Sequence, residues 1–195
     1  MARELSEEYP DAKITVVDSM NVSLGETIML LHATELKEKG TSYEDIVADL
    51  EEFKHHINVQ FTVNDLFHLQ RGGRVSKTTA LVGSALNLKP FLTITNAGTL
   101  ISDGTARGRK KAIRTLVERM KDTLEDTPDT SVPVGIVHGN CLEDAQTLAE
   151  SVKSETGFTN IIINDISPSI GTHAGPGALG LLYYGKSKPA PKEEK

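Results

Sequence analysis

The chain reads as an α/β protein in two parts: an incomplete parallel α/β region over residues 1–88 and a two-layer α+β domain over residues 89–185. Three observations predict this. Residues 14–63 run strand, helix, helix, strand, the order of a parallel layer. Residues 91–102 read as a hairpin, and from Gly108 onward helices alternate with strands up to a closing apolar run at 178–184. The first part holds only two convincing strands, too few for a parallel sheet covered on both faces, and so reads as incomplete.

The elements follow in order. Ile14-Thr15-Val16-Val17-Asp18 is a β-branched run and predicts a strand. Ser23 and Glu26 have capping-box spacing ahead of a helix whose Leu24, Ile28, Leu31 and Leu36 share a face, and Gly40 ends it. Ser42 with Asp45 opens a second amphipathic helix through Ile46, Val47, Leu50 and Phe53, and residues 58–63 return as strand. Asn64 and Asp65 offer N-cap side chains to a short helix at 66–70 that stops at Gly72-Gly73, and a further helix is expected over 76–85. Beyond a boundary near Leu88, residues 91–95 and 99–102 form the hairpin around Asn96-Ala97-Gly98. Then come a helix at 108–123, a strand at 134–137, a helix at 142–156, a strand at 160–164 and the last run. The second part is expected to carry its helices on one face of a largely antiparallel or mixed sheet. Residues 186–195 show no apolar face and predict a disordered tail.

Composition excludes several functions. With 21 Lys and Arg against 27 Asp and Glu, the net charge is -6, which argues against a protein built to bind nucleic-acid phosphates. The single cysteine, Cys141, rules out an internal disulfide and a thiolate metal cluster and fits a reducing, cytoplasmic setting. The N-terminal residues are acidic where a secretory signal needs an apolar stretch, and no segment approaches the roughly 18 apolar residues of a membrane span. His32, His55, His56 and His68 lack the partners that metal spacing demands, so no metal site is expected. No acid/base dyad and no nucleophile–His–Asp arrangement is legible, so no catalytic residue is assigned.

Three segments carry the candidate chemistry. In Ser169-Ile170-Gly171-Thr172-His173-Ala174-Gly175-Pro176-Gly177, a histidine sits in a glycine-rich turn whose backbone N–H groups can converge on an oxyanion. Arg71-Gly72-Gly73-Arg74-Val75-Ser76-Lys77-Thr78 puts two guanidinium groups beside hydroxyls and a lysine, a set that holds carboxylate or phosphate. It lacks the glycine spacing of a P-loop, and a helix C-cap followed by solvated charge is the plain alternative. Arg107-Gly108-Arg109-Lys110-Lys111 gathers cations at a helix start, against the dipole, as for an external anion or as a solvated face. His138 ends a buried strand, as ligand-facing or as structural histidine.

Taken together, Val16-Val17-Asp18-Ser19, the stretch from Thr62 through Arg71-Gly72-Gly73-Arg74 to Lys77, Leu88-Lys89-Pro90-Phe91-Leu92, Arg107-Gly108-Arg109, His138-Gly139 and Ile170-Gly171-Thr172-His173-Ala174-Gly175-Pro176-Gly177 resemble the DegV family in order and spacing. The resemblance covers about residues 10–184. It implies a bacterial cytoplasmic carrier, not an enzyme and without a cofactor, that holds a long-chain fatty acid in a tunnel between two domains. It implies, further, that the carrier presents the acyl carboxylate to a separate ATP-binding fatty-acid kinase protein, with at most transient membrane contact and no nucleic acid. The family's G-T-H-x-G-P-G motif maps onto Gly171, Thr172 and His173 at the head group, and its arginines map onto Arg71, Arg74, Arg107 and Arg109. Leu81, Val82, Leu86, Leu88 and Phe91 are expected to line the tunnel. Family members begin with a further N-terminal stretch bearing T-S-x-P-[ST] and S-G-[TS] motifs, which this sequence does not contain, so the chain is read as a truncated, C-terminal part of such a protein. Two rival functions remain at this point: an enzyme acting on a small anionic metabolite, and a fragment without independent binding.

Overall fold

The computed structural model describes residues 2–64, 66–75 and 87–191. Its centre is one mixed sheet. The elements are α1 (Ala2–Glu7), α2 (Leu24–Glu38), α3 (Tyr43–Phe53), β1 (Ile57–Thr62), α4 (Phe67–Arg71), β2 (Leu88–Ile94), β3 (Leu100–Arg107), α5 (Arg109–Thr123), β4 (Val134–His138), α6 (Leu142–Thr156), β5 (Ile161–Asp165), α7 (Pro168–Ala174) and β6 (Leu179–Tyr184). The strand order is β3-β2-β1-β6-β4-β5. Only β4 and β5 run parallel; every other neighbouring pair is antiparallel.

The last strand is central because its sequence suits burial on both sides. Leu179, Leu181 and Tyr183 point to one face and Gly180 and Leu182 to the other, as the two-residue period of a strand requires. On the first face Ala112, Leu116 and Met120 of α5 and Ala145, Leu148 and Val152 of α6 form the core. That agrees with the expectation that the second part carries its own helices on one face. On the opposite face Leu24 and Ile28 of α2, with Phe53 at the end of α3, pack against Ile57, Val59, Val137 and Leu182.

Several expectations need correction. Residues 57–62 are not a second strand of a parallel layer: β1 lies between β2 and β6, antiparallel to both, so the sheet runs across the expected boundary at Leu88. Residues 14–18 form no strand, because among the described residues no strand pairs with them; Ile14 is exposed, and Thr15 accepts a hydrogen bond from the Tyr43 hydroxyl at 2.8 Å. Ser23 does not cap α2 with its side chain, whereas Ser42 accepts from the Asp45 N–H at 3.2 Å as expected. Asn64 does not cap α4; its amide donates to the Pro176 carbonyl at 3.2 Å. The helix expected over 76–85 lies outside the described residues, as does Asp65.

The tail is docked in its first part. The N–H groups of Gly185, Lys186 and Lys188 donate to the carbonyls of His56, Thr123 and His55 at 3.0, 2.8 and 2.8 Å, and the Pro189 carbonyl accepts from Asn96 N–H at 3.0 Å. Backbone groups that find partners order a segment whatever its polarity, and Lys188 is only 3% exposed.

Candidate functional site

A cavity of about 470 Å³ lies on the α2 face of the sheet. Its floor is made by side chains of β1, β4 and β6: Val59, Phe61, Val137 and Leu182, with Gly180 between them. The glycine matters, since a Cβ there would stand 2.9 Å from Val137 Cγ2. Strand register gives the cavity two ends. Val59 pairs with Leu182, whereas Phe61 pairs with Gly180 and Thr62 with Leu179, which leads into the α4 and α7 segments. At that end stand His173, Arg74, Ser169, Ile170 and Leu69; at the other stand Val22, Ser23, Gly98, Leu100 and Ile94. A predominantly apolar trough therefore closes on an imidazole and a guanidinium group at one end.

The polar end is set by close packing between residues 64–74 and 171–178. A Cβ on Gly72 would overlap His173 Nδ1, one on Gly175 would overlap the His68 ring, and one on Gly177 would overlap the Asn64 amide. These glycines hold two segments together. Lys89 orients Asn64 by donating to its carbonyl and to Oδ1 at 3.3 and 3.2 Å. Arg74 donates from Nη1 to the Gly72 carbonyl at 2.6 Å, which draws its guanidinium group toward the segment that packs on His173. His173 Nδ1 is buried without a hydrogen-bond partner, an expensive state for a polar atom.

The glycine-rich turn itself is not an anion cradle. Residues 168–174 are helical, and the N–H groups of Gly171, Gly175 and Gly177 already donate to the carbonyls of Ser167, Gly171 and Gly139 at 2.8, 2.8 and 2.6 Å. Thr172 is exposed, and its hydroxyl donates to the Pro168 carbonyl at 2.7 Å. The side chain of His173 and not the backbone of Gly171 or Thr172 faces the cavity.

The arginines divide. Arg74 and Arg71 are both exposed, but Arg74 lines the cavity at its open edge, whereas Arg71 donates to His68 Nδ1 at 3.2 Å, one helical turn away. Arg107 is exposed at the end of β3, and Arg109 is tied to Asp144 Oδ2 and Cys141 Sγ at 2.8 and 3.3 Å. The cation cluster at the start of α5 is thus partly neutralised by α6. Burial pushes the Cys141 thiol up from its ordinary range, and the nearby Arg109 charge only partly offsets this.

Of the residues expected to line a tunnel, Leu81, Val82 and Leu86 lie outside the described residues. Phe91 packs in the α5 face beneath the Arg119 guanidinium, 4.5 Å from its ring centroid, and Leu88 does not line the cavity. Alternation along β2 puts Phe91 on the wrong face. The sequence reading missed Ile166, which flanks the site from the link between β5 and α7; Ile170, quoted only as part of the glycine-rich segment, reaches the cavity with Ala174 from one face of α7, and that four-residue spacing is the signal that could have marked it. Among the described residues, no group of three or more His, Cys, Asp or Glu is placed to hold a metal, and no helix is long and apolar enough to cross a membrane.

Fold and cavity define a mixed α/β protein with an apolar, ligand-sized trough on its sheet. The chain matches, over residues 1–186, the family described as "Uncharacterised protein, DegV family", and it belongs to that family. It is 37% identical over 185 residues to the DegV domain-containing protein CPE0026 of Clostridium perfringens, covering 95% of this chain and 63% of that one. A crystal structure of a DegV family protein from Eubacterium eligens loaded with heptadecanoic acid superposes with a TM-score of 0.85 at 25% identity, covering 94% of this chain and 66% of that one. DegV of Bacillus subtilis, described as a fatty acid binding protein, gives 0.76 at 32% identity, covering 95% and 65%. The chain spans less than two thirds of the length of each of these relatives.

Proposed function

We propose that this chain forms the sheet-side wall and head-group end of a fatty-acid carrier, with the acyl chain along the β1–β6–β4 floor and the carboxylate at His173 and Arg74. The observation that carries the reading is the polarity of the cavity: apolar side chains along the floor, an imidazole and a guanidinium group at one end. A buried carboxylate needs pre-aimed donors, and a planar guanidinium group suits it. The heptadecanoic acid loaded in the Eubacterium eligens relative and the description of Bacillus subtilis DegV as a fatty acid binding protein support the same reading. Arg71, exposed and bonded to His68, stands next to the segment that packs on His173, where its remaining N–H groups can meet a partner. That partner, on the family resemblance, is a separate ATP-binding kinase to which the carboxylate is presented; the carrier supplies positioning, not catalysis. Arg107 and Arg109 are outside the head-group site in this reading.

Equilibrium binding of hexadecanoic acid, followed by displacement of a fluorescent acyl probe, tests it. Charge-assisted hydrogen bonds contribute about 1.5–3 kcal/mol each, so His173→Ala and Arg74→Ala should each weaken binding by roughly 10- to 100-fold. Binding unchanged in both variants refutes the head-group assignment.

A further inference from the structure

We propose that the C-terminal strap at residues 187–189 clamps the tail end of the cavity and so determines the length of acyl chain accepted; this rests on the carrier reading above. The tail end is built from two loops that precede or connect regular elements, Val22-Ser23 before α2 and Gly98 in the β2–β3 turn, together with Leu100. Neither loop is held by the sheet ladder alone. The strap ties both. Lys188 Nζ donates to the Met20 carbonyl and to Asn21 Oδ1 at 2.9 and 3.2 Å, and Pro189 accepts the Asn96 N–H at 3.0 Å. The two loops also meet each other there: a Cβ on Gly98 would stand 3.1 Å from Met20 Sδ.

The strap is itself anchored at a distance from the cavity, through Lys186 to the end of α5 and through Lys188 N–H to His55. Asn21 is gripped from a second side, its amide donating to the Lys54 and Ser19 carbonyls at 3.3 and 2.7 Å. Met20 and Ser23 both have positive φ, 49° and 56°, a conformation that non-glycine residues hold only when their surroundings impose it. The Lys188 bond to the Met20 carbonyl adds to the local restraints from Asp18 and Ser19 that hold this turn. The charged group that acts on the Lys188 ammonium is Lys54, which is paired with Glu51.

The test compares the intact chain, a form ending at Lys186, and Lys188→Ala. Binding of saturated fatty acids of fourteen to twenty carbons is measured for each, with hydrogen exchange reporting that α6 and β5 stay folded. A buried methylene is worth about fourfold in affinity. Room for one or two more methylenes should therefore raise the preference for the twenty-carbon over the sixteen-carbon acid by roughly 4- to 15-fold in the shortened form, with faster exchange confined to residues 20–23 and 96–100. A merely stabilising strap would lower all affinities together and leave the ratio unchanged, and that outcome overturns the clamp while leaving the carrier reading intact. If the intact chain binds none of the acids, the carrier reading falls and the clamp falls with it.

Discussion

At the scale of single residues, contact with a glycine sets the position of His173. Gly72 has φ of −77°, which any residue accepts, so Gly72→Ala acts through its methyl group alone, which would overlap His173 Nδ1. Gly72→Ala should weaken fatty-acid binding by about tenfold, in line with loss of one charge-assisted contact, with little change in binding when His173 is already Ala; equal effects in both backgrounds would break the proposed link. Lys188 is the other telling residue. Burial, reinforced by Lys54, lowers its pKa from 10.5 to about 8. Because the unfolded chain binds the proton more tightly than the folded one, stability should rise with pH between about 8 and 10.5, and below 8 the full cost of the buried charge remains. Lys188→Met should flatten that slope in urea denaturation curves; an unchanged slope would place the titration elsewhere. His173 was legible in the sequence as a candidate because of its setting, but the reason assigned to its glycines was wrong. Gly175 and Gly177 do take positive φ, yet they make room for His68 and Asn64 rather than offering free N–H groups.

At the scale of elements, local signals succeeded where their partners lie close in sequence. The helix at 142–156 matches α6, with Gly157 in the left-handed region closing it, and the hairpin turn at 95–99 matches β2–β3. Ser42 caps α3 through a contact three residues away; its replacement by Ala should cost about 1 kcal/mol, read as a lower urea midpoint at constant m-value, and a change within error would show the cap to be redundant. Where the deciding partner is distant, the same signals misled. The β-branched run at 14–18 has strand propensity but pairs with no strand among the described residues, and Asn64 answers to Pro176 across the fold instead of to its own helix. Arg109 is similar: its cation-rich surroundings suggested an external anion, yet Asp144, contributed by α6, takes the charge.

At the scale of the whole molecule, the order of strands is what creates the cavity, and that order is not written in any local pattern. Inserting the last strand, β6, between β1 and β4 brings residues 57–62, 134–138 and 179–184 side by side and sets Gly180 against Val137 and Phe61. A reading that divided the chain at Leu88 could place a tunnel between domains but not on this sheet. The motif order nevertheless identified the family, since six short segments in sequence constrain a fold more tightly than any one of them. The most direct measurement is a crystal structure of the chain saturated with hexadecanoic acid. The expected electron density has its carboxylate within hydrogen-bonding distance of His173 or Arg74 and its methyl end toward Gly98 and Val22. Density in the reverse orientation, or bound away from this face of the sheet, would contradict the assignment.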